Sequence, residues 1–204
     1  MRSGAVFTIG HSTHDFATLV DLLRQHEITA VADVRSVPAS RFTPQFNQRS
    51  IAPGLREAGI KYVFMGNELG ARTDDASCYI DDTVQYRLLA KTPKFAEGIE
   101  RLVTGARTER IAVMCTEGEP LDCHRTILVA RVLSERDTTV DHIHGDGSIE
   151  SHAAAMERLM EKFGLAEDDL FHTRAERLEA ALLRQERRIA YVRENLHTTE
   201  EPGT

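Results

Sequence analysis

The sequence predicts an α/β fold of three layers, a mostly parallel sheet of about five strands between helices, extended by a long C-terminal helix. Two observations carry this expectation. Short β-branched runs recur at AVFTIG (5–10), AVADVRS (30–36), KYVFMG (61–66), RIAVMC (110–115) and TVDHIH (139–144). Segments of helical period lie between them, and strands that alternate with helices pack as a parallel sheet.

The elements follow in order. After the first run, Ser12 and Thr13 offer N-caps for a helix whose apolar face is Phe16, Leu19, Val20, Leu22 and Leu23. The second run leads into PASRFTPQFNQRS, too rich in proline and polar residues for regular structure, and then a short helix ending near Gly59. NELGARTDDASCY (67–79) reads as a second long loop, and loops of this length are usually functional or mobile. Helices are expected over 82–90, 94–106 and 124–135, and one capped by Ser148 or Ser151 should reach Phe163. From Thr173 to Leu196, Ala175, Leu178, Leu182, Ile189, Val192 and Leu196 recur at intervals of three, four and seven, which predicts a long amphipathic helix. Its stripe would dock on the domain or on a second subunit, so a homodimer through this helix is one expectation. The division is therefore a single α/β domain over 1–165 and a helical extension with a disordered tail over 166–204.

Composition narrows the function. With 204 residues, 41% hydrophobic and 28% charged, the chain has the make-up of a soluble globular protein. A net charge of -7 argues against a generic electrostatic nucleic-acid binder while allowing a local basic patch. No run approaches a membrane span, and the N-terminus lacks the apolar stretch of a signal peptide, so a cytoplasmic location without membrane contact is expected. Three cysteines, Cys78, Cys115 and Cys123, read as reduced thiols.

In an open parallel sheet, ligands bind beyond the carboxyl ends of the strands. Those positions hold His11 and Ser12 after the first run, Asp33, Arg35, Ser36 and Arg41 after the second, Asn67 and Glu68 after the third, and Cys115, Glu117, His124 and Arg125 after the fourth. MCTEGEPLDCHR (114–125) is the densest stretch. A thiolate nucleophile at Cys115 is opposed by three neighbouring carboxylates, which would raise its pKa. A zinc site is opposed by the C-x7-C-H spacing, wider than the usual C-x2-4-C, so no metal and no cofactor are expected. Taken alone, Cys115 reads as a buried packing residue. Arg125 at a helix N-terminus could bind an anion, and Glu117 could transfer protons; an internal ion pair between them is the competing reading.

The stretches TIGHS (8–12), ADVRSVPASR (32–41) with a following FN (46–47), YVFMGNELG (62–70), CTEGEPLDCHR (115–125) and HIHGDG (142–147) strongly resemble, in order, the motifs of the bacterial and archaeal family called domain of unknown function 488. The resemblance implies an α/β fold with its polar motifs at one face. It places His11, Arg35, Arg41, Glu117, Cys123, His124 and Arg125 on motif positions and leaves the tail beyond about 165 outside them.

The leading expectation is an enzyme acting on an anionic small molecule, phosphorylated or nucleotide-like. Glu117, His11 and His124 would be the catalytic residues, and Ser12, Arg35, Ser36, Arg41, Asn47 and Arg125 would bind the ligand. The rival expectations are a non-catalytic module binding nucleic acid or protein, and a metal or redox sensor. The absence of a GxGxxG turn or Walker loop argues against a standard dinucleotide or NTP site.

Overall fold

The computed structural model describes residues 4–193. In chain order the elements are β1 (Val6–Gly10), α1 (Phe16–Gln25), β2 (Ala30–Asp33), α2 (Gln48–Glu57), β3 (Lys61–Phe64), α3 (Gly66–Leu69), β4 (Tyr79–Ile80), β5 (Thr83–Val84), α4 (Tyr86–Leu89), α5 (Pro93–Gly105), β6 (Ile111–Cys115), α6 (Arg131–Ser134), β7 (Val140–Ile143), β8 (Ile149–Ser151), α7 (His152–Lys162) and α8 (Arg174–Ile189). A π-helical stretch, Arg125–Ala130, runs directly into α6.

The sheet has the order β3-β2-β6-β1-β7-β8. All pairings are parallel except β7 with β8. The five expected strands form the parallel part. The sixth, β8, is an addition to the expectation: too short to read as a strand, it becomes one only by pairing Ile149, Glu150 and Ser151 against β7 after the HGDG turn.

Alternation along the strands divides the core in two. Phe7, Ile9, Val31, Ala112 and Met114 face α1 and α2, packing on Leu19, Leu23, Ile51 and Leu55. Val6, Ala30, Ala32, Val113 and Cys115 face the other way, onto α5, the π stretch, α7 and α8. The period of two thus turns Cys115 to the same side as the C-terminal helix. The chain leaves β1 for β2 through α1 on one face and leaves β6 for β7 through α6 on the other. The loops beyond β1 and β6 therefore diverge, and the crevice between them is the topological switch point of the sheet.

Four local expectations are corrected. Asp15, not Ser12 or Thr13, caps α1 by accepting from the Thr18 N–H at 2.7 Å. Segment 67–79 is not all loop, because α3 opens it, and the helix expected over 82–90 is only α4, because β4 and β5 form a hairpin just before it. The C-terminal helix ends at Ile189 rather than Leu196. Thr173 and Glu176 form its capping box, and Leu182 and Ala181 are buried in the chain's own core, with Leu178 and Ile189 partly so. Gln185 Nε2 donates to the Leu121 carbonyl at 2.8 Å, and Glu186 Oε1 accepts from the Tyr86 N–H at 2.7 Å. The helix thus docks on its own domain, the first of the two docks left open. Val192 lies beyond it, 54% exposed, bridged to Thr83 as an added edge of the β4–β5 hairpin. Leu196 and the expected disordered tail fall outside the described residues. Among the described residues, no helix is long and apolar enough to cross a membrane.

Beside the switch point lies a buried neutral pair. Thr8 Oγ1 is 2.7 Å from His142 Nδ1, and His142 Nε2 is 3.2 Å from His152 Nδ1. Burial, the largest influence on each ring, pushes His142 down to about 2 and His152 to about 4. An unfolded chain takes up these protons below about pH 6.5, while the folded chain resists until its depressed values, so this contribution is complete above pH 6.5 and lost as the pH falls. Thermal unfolding between pH 7 and 5 should show a falling Tm, with a shallower slope in His152→Asn. Equal slopes in the two proteins would remove the histidines from the account.

Candidate functional site

Gly10 ends β1 at the crevice, and a Cβ there would lie 1.8 Å from the Glu117 carbonyl oxygen. Only glycine lets the loop after β6 lie this close. His11 N donates to the Cys115 carbonyl at 3.0 Å and Ser12 N to the Thr116 carbonyl at 2.8 Å, zipping the two loops together. Arg125, wholly buried, completes the fastening: its guanidinium donates to the Glu117 carbonyl and, at 3.0 Å, to that of Gly118.

A second buried arginine supports the floor. Arg35 Nε and Nη2 donate to Asp33 Oδ1 and Oδ2 at 2.9 and 2.6 Å, and Nη2 also reaches the Phe46 carbonyl at 2.8 Å. Tyr62 donates to Asp33 Oδ2 at 2.7 Å. His11 Nδ1–H donates to the Ser12 carbonyl at 2.9 Å, which leaves Nε2 to accept from Arg35 Nη1 at 3.2 Å. The ring stacks on Phe46 at 4.2 Å between centroids. Burial, aided by the Arg35 and Arg125 charges, lowers its pKa to about 4, so it is neutral and orients Arg35.

Above this frame four functional groups meet. Cys115 Sγ lies 3.1 Å from Glu117 Oε2, and Cys123 Sγ lies 2.9 Å from the same oxygen. His124 Nδ1 is 3.8 Å from the Cys115 sulfur and 3.9 Å from the Cys123 sulfur. Its Nε2–H donates to the Val34 carbonyl at 3.1 Å, fixing which nitrogen faces the sulfurs. The Arg125 backbone N–H points at Cys123 Sγ from 3.4 Å. The two thiols are driven apart. Hydrogen bonding to Cys123, with burial and the Cys123 and Glu117 charges, raises Cys115 well above the ordinary range. Burial would raise Cys123 also, but the Cys115 hydrogen bond, Arg125 and His124 outweigh it and pull it well down. Burial and the Cys123 sulfur raise Glu117; Cys123 raises His124 against the effect of burial.

This corner is the floor of a cleft of about 390 Å³. Arg35, Ser36, Glu117 and His124 border it among the expected residues, together with Cys115 and Cys123. His11, Ser12, Asn47 and Arg125 do not; they stand behind it. Asn47 Oδ1 accepts from the Ser40 N–H at 2.6 Å, holding the VPAS loop. Arg41 is exposed, its guanidinium over Phe42 at 4.8 Å, and does not border the cleft. The ion pair weighed between Glu117 and Arg125 does not form, because the arginine meets that residue's carbonyl rather than its carboxylate.

Sequence reasoning missed Arg72, Tyr86 and Tyr191. Tyr191, held by the Val84 N–H donating to its carbonyl at 3.0 Å, borders the cleft with Ile189 and carries the Arg72 guanidinium 4.7 Å above its ring. Nothing in the tail's helical pattern signals this, since the contact arises where the helix has ended. Ser36 Oγ accepts from the Arg72 N–H at 2.9 Å.

The buried frame should be costly to break. Asp33→Asn removes the countercharge of a guanidinium only 5% exposed, and denaturant unfolding should show a loss of about 3 kcal/mol or more. Tyr62→Phe, which removes one hydrogen bond from the same carboxylate, should cost about 1 kcal/mol. Similar costs for the two would mean that Arg35 finds another partner.

A family model described as Domain of unknown function DUF488 matches residues 15–132, more than half of the chain. No curated protein and no solved structure shows significant similarity to it. The matched span runs from the cap of α1 into α6 and contains Asp33, Arg35 and the Cys115 to Arg125 loop, and on this match the chain belongs to the DUF488 family.

Proposed function

We propose that the protein is an enzyme that acts on a small anionic substrate, bound by Arg72 and Ser36 over the corner formed by Cys115, Glu117, Cys123 and His124. The observation that carries this reading is the placement of a carboxylate, an imidazole and two thiols at the floor of one open cleft. A binding module has no need to gather such groups beneath its ligand.

The anion's partner differs from the one first expected. Arg35 is occupied by Asp33, His11 and Phe46, and Arg125 by two carbonyls. Arg72 is exposed, and its guanidinium contacts a ring rather than a carboxylate. Stacking on Tyr191 orients the planar fork and leaves its N–H edge for phosphate or carboxylate. Ser36 already accepts from the Arg72 backbone, so its own hydroxyl proton is available to the ligand. Glu117 is the group for proton transfer, and His11 acts through Arg35 without touching substrate.

A thermal-shift screen of nucleotides and phosphosugars supplies the ligand, and calorimetry tests the roles. Arg72→Gln should weaken binding by about tenfold or more, the worth of a charged hydrogen bond. Glu117→Gln should bind within a few-fold of the native protein while losing turnover. Retained turnover in Glu117→Gln, or unchanged affinity in Arg72→Gln, would reject the assignment.

A further inference from the structure

We infer that Cys115, Cys123 and His124 form a three-ligand site for a divalent cation of the zinc class, with a fourth coordination position open to the cleft beside Glu117. The donor atoms of the three residues all lie within 4.8 Å of one another. Zinc bonds of about 2.3 Å to sulfur and 2.0–2.1 Å to nitrogen, at tetrahedral angles, separate a sulfur from a nitrogen by roughly 3.5 Å. The two sulfur–nitrogen separations here are 3.8 and 3.9 Å, a few tenths of an ångström from that value; the two sulfurs lie within 4.8 Å of each other against roughly 3.8 Å for two zinc–sulfur bonds at a tetrahedral angle, so closure on an ion draws them together by at most about 1 Å.

The outer contacts are of the kind that a metal site uses. A ligating histidine donates its second ring N–H to a carbonyl or carboxylate, which fixes the ring and aims the other lone pair. His124 does this through Nε2 to Val34. The Arg125 N–H directed at Cys123 Sγ suits a metal-bound thiolate as a hydrogen-bond acceptor. Two thiolates and a neutral imidazole also balance a doubly charged ion, so the buried assembly carries no net charge, which lowers its desolvation cost. The spacing that argued against a zinc site is bridged by the fold: a 3-10 turn, Pro120–Asp122, returns the chain so that Cys123 and His124 face the end of β6.

Three protein ligands and an open position are the pattern of a catalytic rather than a structural zinc site. The reaction class that follows rests on the enzymatic reading above; the metal site itself does not. A bound water would pass a proton to Glu117 as its oxygen bonds to an electrophilic carbon or phosphorus of the substrate. The bond to the leaving group then breaks, and Glu117 returns the proton to that group. The reaction is hydrolysis and needs no further reactant.

Cobalt(II) is the probe. The reduced full-length protein, titrated anaerobically, should take up one equivalent with thiolate-to-cobalt charge-transfer absorption and the intense ligand-field bands of a tetrahedral ion. Cys115→Ser, Cys123→Ser and His124→Ala should each weaken uptake about a hundredfold or more, as ligand loss requires. Cys78→Ser, with its sulfur elsewhere in the core, should leave uptake unchanged, and so should Arg72→Gln. Because a ligand variant could fail to fold, alkylation of the native protein gives a second measure: zinc should protect two of its three thiols, and chelation should release them. Failure of the native protein to bind cobalt, or alkylation indifferent to zinc, would overturn the inference. Binding without turnover on any screened substrate would retain the metal site and reject the enzymatic reading instead.

Discussion

The geometry of the cleft depends on one wholly buried guanidinium. Arg125 is the largest fully buried side chain among the described residues, and its partners are backbone carbonyls rather than a carboxylate. A charge in that position is costly unless its hydrogen bonds are made, and here the two terminal nitrogens make them while Nε is buried without one. Those bonds are also what hold the loop after β6 against Gly10, where a Cβ would not fit. Through this fastening the end of β6 becomes a fixed platform, and Cys115 and Glu117 take their places on it. The same residue's backbone N–H addresses Cys123, so one arginine organises both sides of the corner. It does so from the first residue of a π-helical turn, a rare conformation that concentrates at functional sites.

Arg35 illustrates the same division of labour on the neighbouring strand. A guanidinium with four of its five N–H groups aimed at Asp33, Phe46 and His11 has little left to offer a ligand. Its service is to hold the backbone beyond β2, and with it the Val34 carbonyl that orients His124. The motif residues therefore split into a buried frame, Asp33, Arg35, His11 and Arg125, and a reactive floor, Cys115, Glu117, Cys123 and His124. Asp33, Arg35 and His11 cannot be exchanged for hydrophobic residues one at a time, because each satisfies another's buried charge or hydrogen bond, and Arg125 cannot because the Glu117 and Gly118 carbonyls rely on it.

Much of the frame was legible in the sequence. The five parallel strands were readable because β-branched runs bounded by turns carry their own signal, and gathering of the polar motifs at one sheet edge followed from the parallel topology. Roles were less legible. Whether an arginine is free or occupied depends on tertiary partners: Asp33 looked like one more strand-end residue, and the Phe46 carbonyl has no sequence signature. The C-x7-C-H spacing was misleading as a distance, because a tight turn shortens the path between the two cysteines. Strand β8 and the β4–β5 hairpin were missed because segments of two or three residues show no periodicity. Tyr191 escaped because it lies just past a helix whose pattern drew attention to its other residues.

Electrostatics bear on what the cleft can accept. A nucleic acid brings a row of phosphates and rewards a continuous basic surface, each neutralised phosphate adding to affinity. The cleft has a mixed lining instead: Arg72 is exposed on it and Arg35 is paired with Asp33, while the exposed carboxylates of Glu117 and Asp122 border it too. On the enzymatic reading proposed above, one arginine without a carboxylate partner among the described residues, set beside two carboxylates, favours a ligand with a single anionic group at one end and a neutral reacting portion at the other. Such a ligand meets Arg72 without driving its charge onto Glu117. A long polyanion would have to pass those carboxylates, and the chain's overall charge of -7 would oppose its approach. On the enzymatic reading proposed above, the same argument separates recognition from reaction within the substrate: the charged group meets Arg72, and the bond to be broken lies over the sulfurs and the imidazole.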